Sequence, residues 1–373
     1  MKLTKPLFLL ATVLVLNSCT KIYKSPEKVV TVKDAYQENF YIGTALSQSQ
    51  IEESNPMVTA LISKEFNSIT PENIMKSMFT HPEKDRFDFG LSDKYVAFGE
   101  KYNMFVHGHT LIWHSQLAPW VAQIKDSAVM GDVMKNHIST IVSKYKGRIN
   151  SWDVVNEALN EDGTLRKSVF LNSYGKDFLT LAFKEAAKAD PKTDLYYNDY
   201  NLCNAKKRKG AVELVQNLQK NGAKIDGVGE QGHWNLNTPT LAEIEQTILD
   251  FSALGVKVAI TELDISVIPS PWDVVGADVN QKSAASEKMN PYPKVLPDSI
   301  QTQLAERYEA IFKLFLKHQD KISRVTFWGV NDGQTWLNDW PINGRTNYPL
   351  LFDREYKAKK AYFSILGLKE VKK

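Results

Sequence analysis

Two short segments carry glutamates placed to do chemistry. Trp152-Asp153-Val154-Val155-Asn156-Glu157 and Val258-Ala259-Ile260-Thr261-Glu262-Leu263-Asp264 each run from a β-branched stretch into an acidic residue. A pair of carboxylates suits glycoside hydrolysis, in which one protonates the departing oxygen while the other attacks the anomeric carbon or activates a water. Retaining enzymes hold the two at about 5–5.5 Å and inverting ones at about 6.5–9.5 Å, a gap that sequence does not measure. A second chemistry competes. His107-x-His109 places two imidazoles on one face of a strand, and His233 with an aspartate would complete a metal site. That reading leaves both glutamate-bearing segments without a role, so no metal and no organic cofactor is expected.

The elements that must position these residues recur along the chain. Apolar or β-branched runs at Tyr41–Ala45, Ser68–Thr70, Phe105–Leu111, Ser151–Asn156, Asp194–Asn198, Gly227–Gln231, Lys257–Thr261 and Arg324–Val330 predict strands. Between them lie helical patterns at Asp93–Tyr102, Met130–Lys146, Gly175–Ala189, Lys206–Asn221, Thr240–Leu254 and Gln301–His318. Thr240 with Glu243 has the spacing of a capping box at the start of one of them. Eight such units predict an α/β fold, a (β/α)8 TIM barrel in a single catalytic domain, with its site at the C-terminal ends of the strands. Those ends are polar: Glu72-Asn73, His107 to His114, Asn156-Glu157, Asn198-Asp199, Gln231 with His233, Glu262 with Asp264, and Asn331-Asp332. Any one alone reads as a satisfied buried group or a helix cap; together they mark one functional face. The Pro-bearing connection from Ser266 to about Asp298 should border the cleft.

Composition narrows the partners. The 373 residues carry a formal charge of +3, too little for a polyanion-binding footprint, so nucleic acid is not expected. Forty aromatics, eight of them Trp, leave rings to spare for sugar faces. Two cysteines, Cys19 and Cys203, are too few for a disulfide framework. Lys2 and Lys5 precede an apolar run from Leu7 to Leu16, too short to span a membrane but suited to an export signal. The run ends in Leu16-Asn17-Ser18-Cys19, which resembles a bacterial lipobox with Cys19 as the lipidated residue. The expected organisation is a signal over residues 1–18, a polar tether over 19–33 and the catalytic domain over 34–370. The protein is then exported, held to an outer membrane or cell surface through Cys19 alone, or else secreted or periplasmic.

An ordered set of motifs makes the reading specific. It comprises Thr70-Pro71-Glu72-Asn73 with Met75-Lys76, then Gly108-His109-Thr110-Leu111-Ile112-Trp113-His114-Ser115-Gln116. The Trp152–Glu157 segment follows, then Tyr197-Asn198-Asp199-Tyr200-Asn201, Gly229-Glu230-Gln231-Gly232-His233 and Thr261-Glu262-Leu263-Asp264. Phe327-Trp328-Gly329-Val330, Trp336-Leu337 and Pro349-Leu350-Leu351-Phe352-Asp353 complete it. In this order they resemble glycoside hydrolase family 10, the endo-β-1,4-xylanases, from Asp34 to Leu368. The resemblance implies a retaining hydrolase of internal β-1,4 bonds in xylan and xylo-oligosaccharides, acting as a monomer. It implies Glu262 as nucleophile, Glu157 as acid/base, and Asn156 as donor to the sugar 2-hydroxyl. It further implies His233 bridging Glu262 and Asp264. His109, Trp113, Gln116 and Gln231 would wall the cleavage point, and Glu72, Asn73 and Lys76 would bind sugars on the non-reducing side. Trp328 and Trp336 would cover the sugar ring, Tyr200 would form a platform on the leaving-group side, and Asn198 would support the acid/base from behind. Ser77, Glu230 and the long Ser266–Asp298 loop depart from the family's commonest pattern, and Arg345 either lines the cleft or pairs with a carboxylate. The rival readings are a β-1,4-glucanase on a similar retaining barrel and a non-catalytic glycan-binding lipoprotein.

Overall fold

A computed structural model of the chain describes residues 30–271 and 283–370. The lipobox and Cys19 lie outside the described residues. Eight strands, β1 (Tyr41–Leu46), β2 (Ser68–Pro71), β3 (Phe105–Gly108), β4 (Ser151–Asn156), β5 (Asp194–Asp199), β6 (Gly227–Glu230), β7 (Lys257–Ser266) and β8 (Ile322–Phe327), are all parallel. Each pairs with its neighbour in chain order, and β8 returns to β1 with Thr44 opposite Phe327, which closes the barrel. Every residue of β2, β4 and β6 is buried. That follows from a sheet covered by helices outside and filled with side chains inside, and it explains why these strands read as continuous runs rather than alternating ones.

Helices fill the returns. The helix Leu241–Ser252 begins at the expected capping box, with Thr240 and Glu243 satisfying each other's backbone donors, and it turns Ile244, Ile248 and Phe251 inward. Three features differ from the sequence reading. The helix Val32–Tyr36 starts inside the stretch read as tether, because Val32 and Tyr36 are buried and the Tyr36 hydroxyl donates to the Ile365 carbonyl. Strand β3 stops at Gly108; the chain then leaves the barrel wall, and Ile112–Trp113 form a separate short strand beside β4. Strand β8 stops at Phe327, so Trp328 already lies in the loop that follows.

A polar chain runs through the barrel interior toward the mouth. Arg324, almost wholly buried, approaches His107 Nε2 at 3.1 Å, and Asp153 Oδ2 lies 2.9 Å from both His107 Nε2 and His109 Nδ1. Burial opposes the Asp153 charge, but the two imidazoles hold its carboxyl well below the usual range. His107 is therefore committed to Ser151, Asp153 and an arginine, which is no setting for a metal ligand. No group of three or more His, Cys, Asp or Glu among the described residues is arranged to hold a metal ion.

Candidate active site

A cavity of about 610 Å³ opens at the C-terminal mouth of the barrel. Glu72, Asn73 and Lys76 reach it from the end of β2, and His109, Trp113 and Gln116 from the chain after β3. Asn156 and Glu157 come from the end of β4, Tyr200 and Gln231 from the residues after β5 and β6, His233 from a short strand, His233–Asn235, beside β7, and Glu262 and Asp264 from β7. Trp328 and Trp336 close it from the loop after β8. Residues spread over more than 260 positions of sequence thus share one wall, as a closed barrel requires.

Glu157 stands one residue past β4 with a left-handed backbone, φ 56°, its N–H donating to the Asn198 carbonyl at 2.8 Å. That turn is uncommon for a residue with a Cβ and is the kind of local strain found where a side chain must be aimed. Its carboxyl accepts from Trp113 Nε1 at 2.9 Å and from Gln231 Nε2 at 3.0 Å. Burial, followed by the charge of Asp199, pushes Glu157 up to about 7. At neutral pH a large fraction of it carries the proton that a leaving oxygen needs.

Glu262 meets the opposite setting. Its Oε1 accepts from Asn198 Nδ2 at 3.0 Å, and its Oε2 lies 3.1 Å from His233 Nε2. His233 Nδ1 lies 3.0 Å from Asp264 Oδ2, so the imidazole sits between two carboxylates. Burial would neutralise the ring, but Asp264 and then Glu262 raise it to about 10. Burial also raises Glu262, yet the bond to His233 and its charge, with His109 and Asn198, hold it below the usual carboxylate range. An ionised carboxylate facing the cavity is a competent nucleophile.

The remaining groups fit a neutral, hydroxyl-rich ligand. Lys76 donates to Asn73 Oδ1 at 2.9 Å and lies 4.8 Å over the Trp113 ring. Burial brings Lys76 down to about 8 against the pull of Glu262, Glu72 and Glu157. The proton of His109 belongs on Nδ1, toward Asp153, which leaves Nε2 as an acceptor for a hydroxyl. Trp328 packs edge-on to His109 and His233 at 5.8 and 6.2 Å between ring centres, and Trp336 Nε1 donates to Asp264 at 2.8 Å.

Several expectations change. The side chain of Asn198 supports Glu262 rather than Glu157, since its amide donates to Glu262 and to Asn156 and accepts from Thr261; only its backbone carbonyl serves Glu157. Trp113 and Gln231 line the cavity as expected, but their polar atoms are engaged with Glu157. Tyr200 is buried, one ring face covered by Lys207 Nζ at 3.3 Å and its hydroxyl accepting from Arg166 at 2.8 Å. Arg345 does neither thing expected of it: it donates to the carbonyls of Pro269 and Trp340, tying the loop after β7 to the loop after β8. Glu230 lies beneath the site, accepting from the backbone of Leu202 and Gly232 and from Trp234, and burial pushes it up to about 7. Cys203 is a buried free thiol.

Sequence reasoning missed other parts of the wall. Glu161, Asn201, Trp234, Asn235, Asp339, Trp340 and Pro341 line it too, while Ser270 and Pro271 belong to the loop expected to border the cleft. It also missed Lys207, which binds Asp199 at 3.0 Å and Glu161 at 3.1 Å from a fully buried position. The only signal for Trp340 was its spacing four residues from Trp336; Lys207 sits in a Lys/Arg-rich helix and had none.

The chain matches the family profile described as glycosyl hydrolase family 10 over residues 31–368. It is 43% identical over 345 residues to endo-1,4-beta-xylanase A of Xylanibacter ruminicola, covering 91% of this chain and 94% of that one. Among solved structures, a GH10 endoxylanase retrieved from a sugarcane soil metagenome superposes with a TM-score of 0.87 at 46% identity, over 90% of this chain and 99% of that one. A mutant structure in complex with xylotriose matches with a TM-score of 0.80 at 33% identity, over 90% and 99% of the two chains. The barrel, its mouth and these matches together make the chain a member of glycosyl hydrolase family 10.

Proposed function

We propose that the protein is a retaining endo-β-1,4-xylanase with Glu262 as nucleophile and Glu157 as acid/base. The observation that carries this reading is the pair of equally buried glutamates held at opposite protonation in one cavity. Glu262 attacks the anomeric carbon as Glu157 gives its proton to the departing oxygen. Water, deprotonated by Glu157, then displaces Glu262 from the glycosyl-enzyme with a second inversion. Asn156 and Lys76 are placed to donate to sugar hydroxyls as charge develops, and His109 Nε2 to accept from one. The reaction needs neither metal nor organic cofactor.

Relatives named as xylanases and the xylotriose complex of one neighbour support xylan and xylo-oligosaccharides as substrates. Comparing initial rates on xylan and carboxymethylcellulose tests the class, and faster cleavage of the cellulose would overturn it. Early-time NMR of the reducing ends tests the stereochemistry: the β-anomer should appear first.

Export with lipid attachment at Cys19 is part of the same proposal, supported by the charged start, the Leu7–Leu16 run and Leu16-Asn17-Ser18-Cys19. Metabolic labelling with a fatty acid should mark the wild-type chain and spare Cys19→Ala. A monomer is proposed as well, to be read from the mass in solution.

A further inference from the structure

Trp336 walls the cavity beside the groups that hold Glu262. Its ring lies 4.8 Å from that of His233, which holds Glu262, and its indole N–H is fixed to Asp264. A sugar whose anomeric carbon faces Glu262 must therefore fit against Trp336. Xylose carries two hydrogens at its C5, whereas a β-1,4-linked glucose carries a hydroxymethyl group there. Discrimination between them requires a wall that does not yield.

Trp336 stands at the start of a single 3-10 turn, Trp336–Asn338, which is a slender support for such a wall. What backs it is Trp340, stacked on it with ring centres 4.7 Å apart and planes 22° from parallel. The backbone of Trp340 is pinned, its N–H donating to the Trp336 carbonyl at 3.0 Å and its carbonyl accepting from Arg345 at 2.9 Å. The next residue is held too, because the Pro341 carbonyl accepts from Ser283 N–H at 2.9 Å. Among the described residues the buried Trp340 indole N–H has no acceptor. The ring is therefore used for its faces, not for its hydrogen bond.

We propose that Trp340 is a positioning residue for specificity: by backing Trp336 it keeps that ring closed over the cleavage-point sugar and excludes hexose units. This rests on the xylanase reading above and adds to it the residue that stiffens the selective wall. Nothing else in the chemistry depends on Trp340, which touches neither Glu157 nor Glu262.

The test is the ratio of kcat/KM for 4-nitrophenyl β-xylobioside and β-cellobioside in the wild type and in Trp340→Phe, Trp340→Leu and Trp340→Ala. Trp340→Phe keeps a stacking face and loses only an unused donor, so its ratio should stay within about twofold of the wild type. Trp340→Leu and Trp340→Ala should move the ratio toward cellobioside by about 10-fold, chiefly through a higher KM for xylobioside and a lower one for cellobioside. An unchanged ratio in whichever of these two folds, or a Phe variant as permissive as Leu, would overturn the proposal. A wild-type enzyme that itself prefers cellobioside would overturn the xylanase reading instead, so the two failures are distinct.

Discussion

The surroundings of Glu157 and Glu262 are alike in burial and differ in the charges and donors they meet, a difference that sets their opposite protonation. Each residue is 5% exposed, and each carboxyl accepts two hydrogen bonds from side chains. Glu157 takes its bonds from an indole and an amide, both neutral, and the negative charge of Asp199 raises it further. Glu262 takes one of its two from an imidazolium. Neutral donors in a dry site contribute about 1 kcal/mol each, whereas charged ones contribute roughly 1.5–3 kcal/mol and favour the ionised form. Burial alone would have made both groups weak acids. The cation at His233, raised by Asp264 and then Glu262, and the negative charge of Asp199 set the two carboxyls apart.

The hardest break is removal of the carboxylates. Glu262→Gln should lower kcat by about 10⁵-fold on xylan and aryl xylobiosides alike, because no other group can form the covalent intermediate. Glu157→Gln should cost about 10²–10⁴-fold on xylan but far less for the glycosylation step with a 2,4-dinitrophenyl leaving group, which needs no proton. Steady-state and single-turnover rates on the two substrates check both.

His233→Asn attacks the source of the asymmetry. With the cation gone, the Glu262 carboxyl must rise, so the acid limb of kcat/KM should move to higher pH while activity falls about 10²-fold. Asp199→Asn works from the other side. Without that negative neighbour Glu157 becomes a stronger acid, and the alkaline limb, expected near pH 7 in the wild type, should move to lower pH. A full pH–rate profile for each variant separates the two limbs.

The smallest effect is on stability. Glu157 is held at about 7 in the folded protein against 4.5 for an unperturbed glutamate. The fold therefore loses stability as pH rises from about 4.5 to about 7, over which the unfolded chain ionises first. Glu157→Gln removes that loss, so its Tm should exceed that of the wild type at pH 8 by a few degrees and lose the advantage near pH 4. Calorimetry at the two pH values reads the crossing.

Much of this was legible in the sequence, for physical reasons. Parallel strands buried on both faces are largely apolar, so a run such as Val154-Val155 that ends in Asn156-Glu157 advertises the mouth of the barrel. The capping box at Thr240 and Glu243 is local and was equally plain. What sequence could not show depends on which way side chains lean across strands. Asn198 reaches over to Glu262, and Trp113 turns its N–H to Glu157, because the chain leaves β3 early and lays Ile112–Trp113 beside β4. Lys207 was hidden for the same reason: its helix presents a row of cations, and only packing selects the one that is buried beneath Tyr200. The first helix was missed because five residues are too few to display a period.

The Asn198 amide also has a silent tenant agreement with Gly229 on the neighbouring strand. A Cβ at Gly229 would collide with Asn198 Oδ1 and with the Thr261 methyl group. The absence of a side chain is therefore what allows the amide to span from Thr261 to Glu262. For anyone redesigning this barrel, Gly229 counts among the functional positions although it contributes no atom to the cavity wall. A library confined to residues that line the cleft would omit it, and a library that varied it freely would discard active sequences for a reason invisible at the surface.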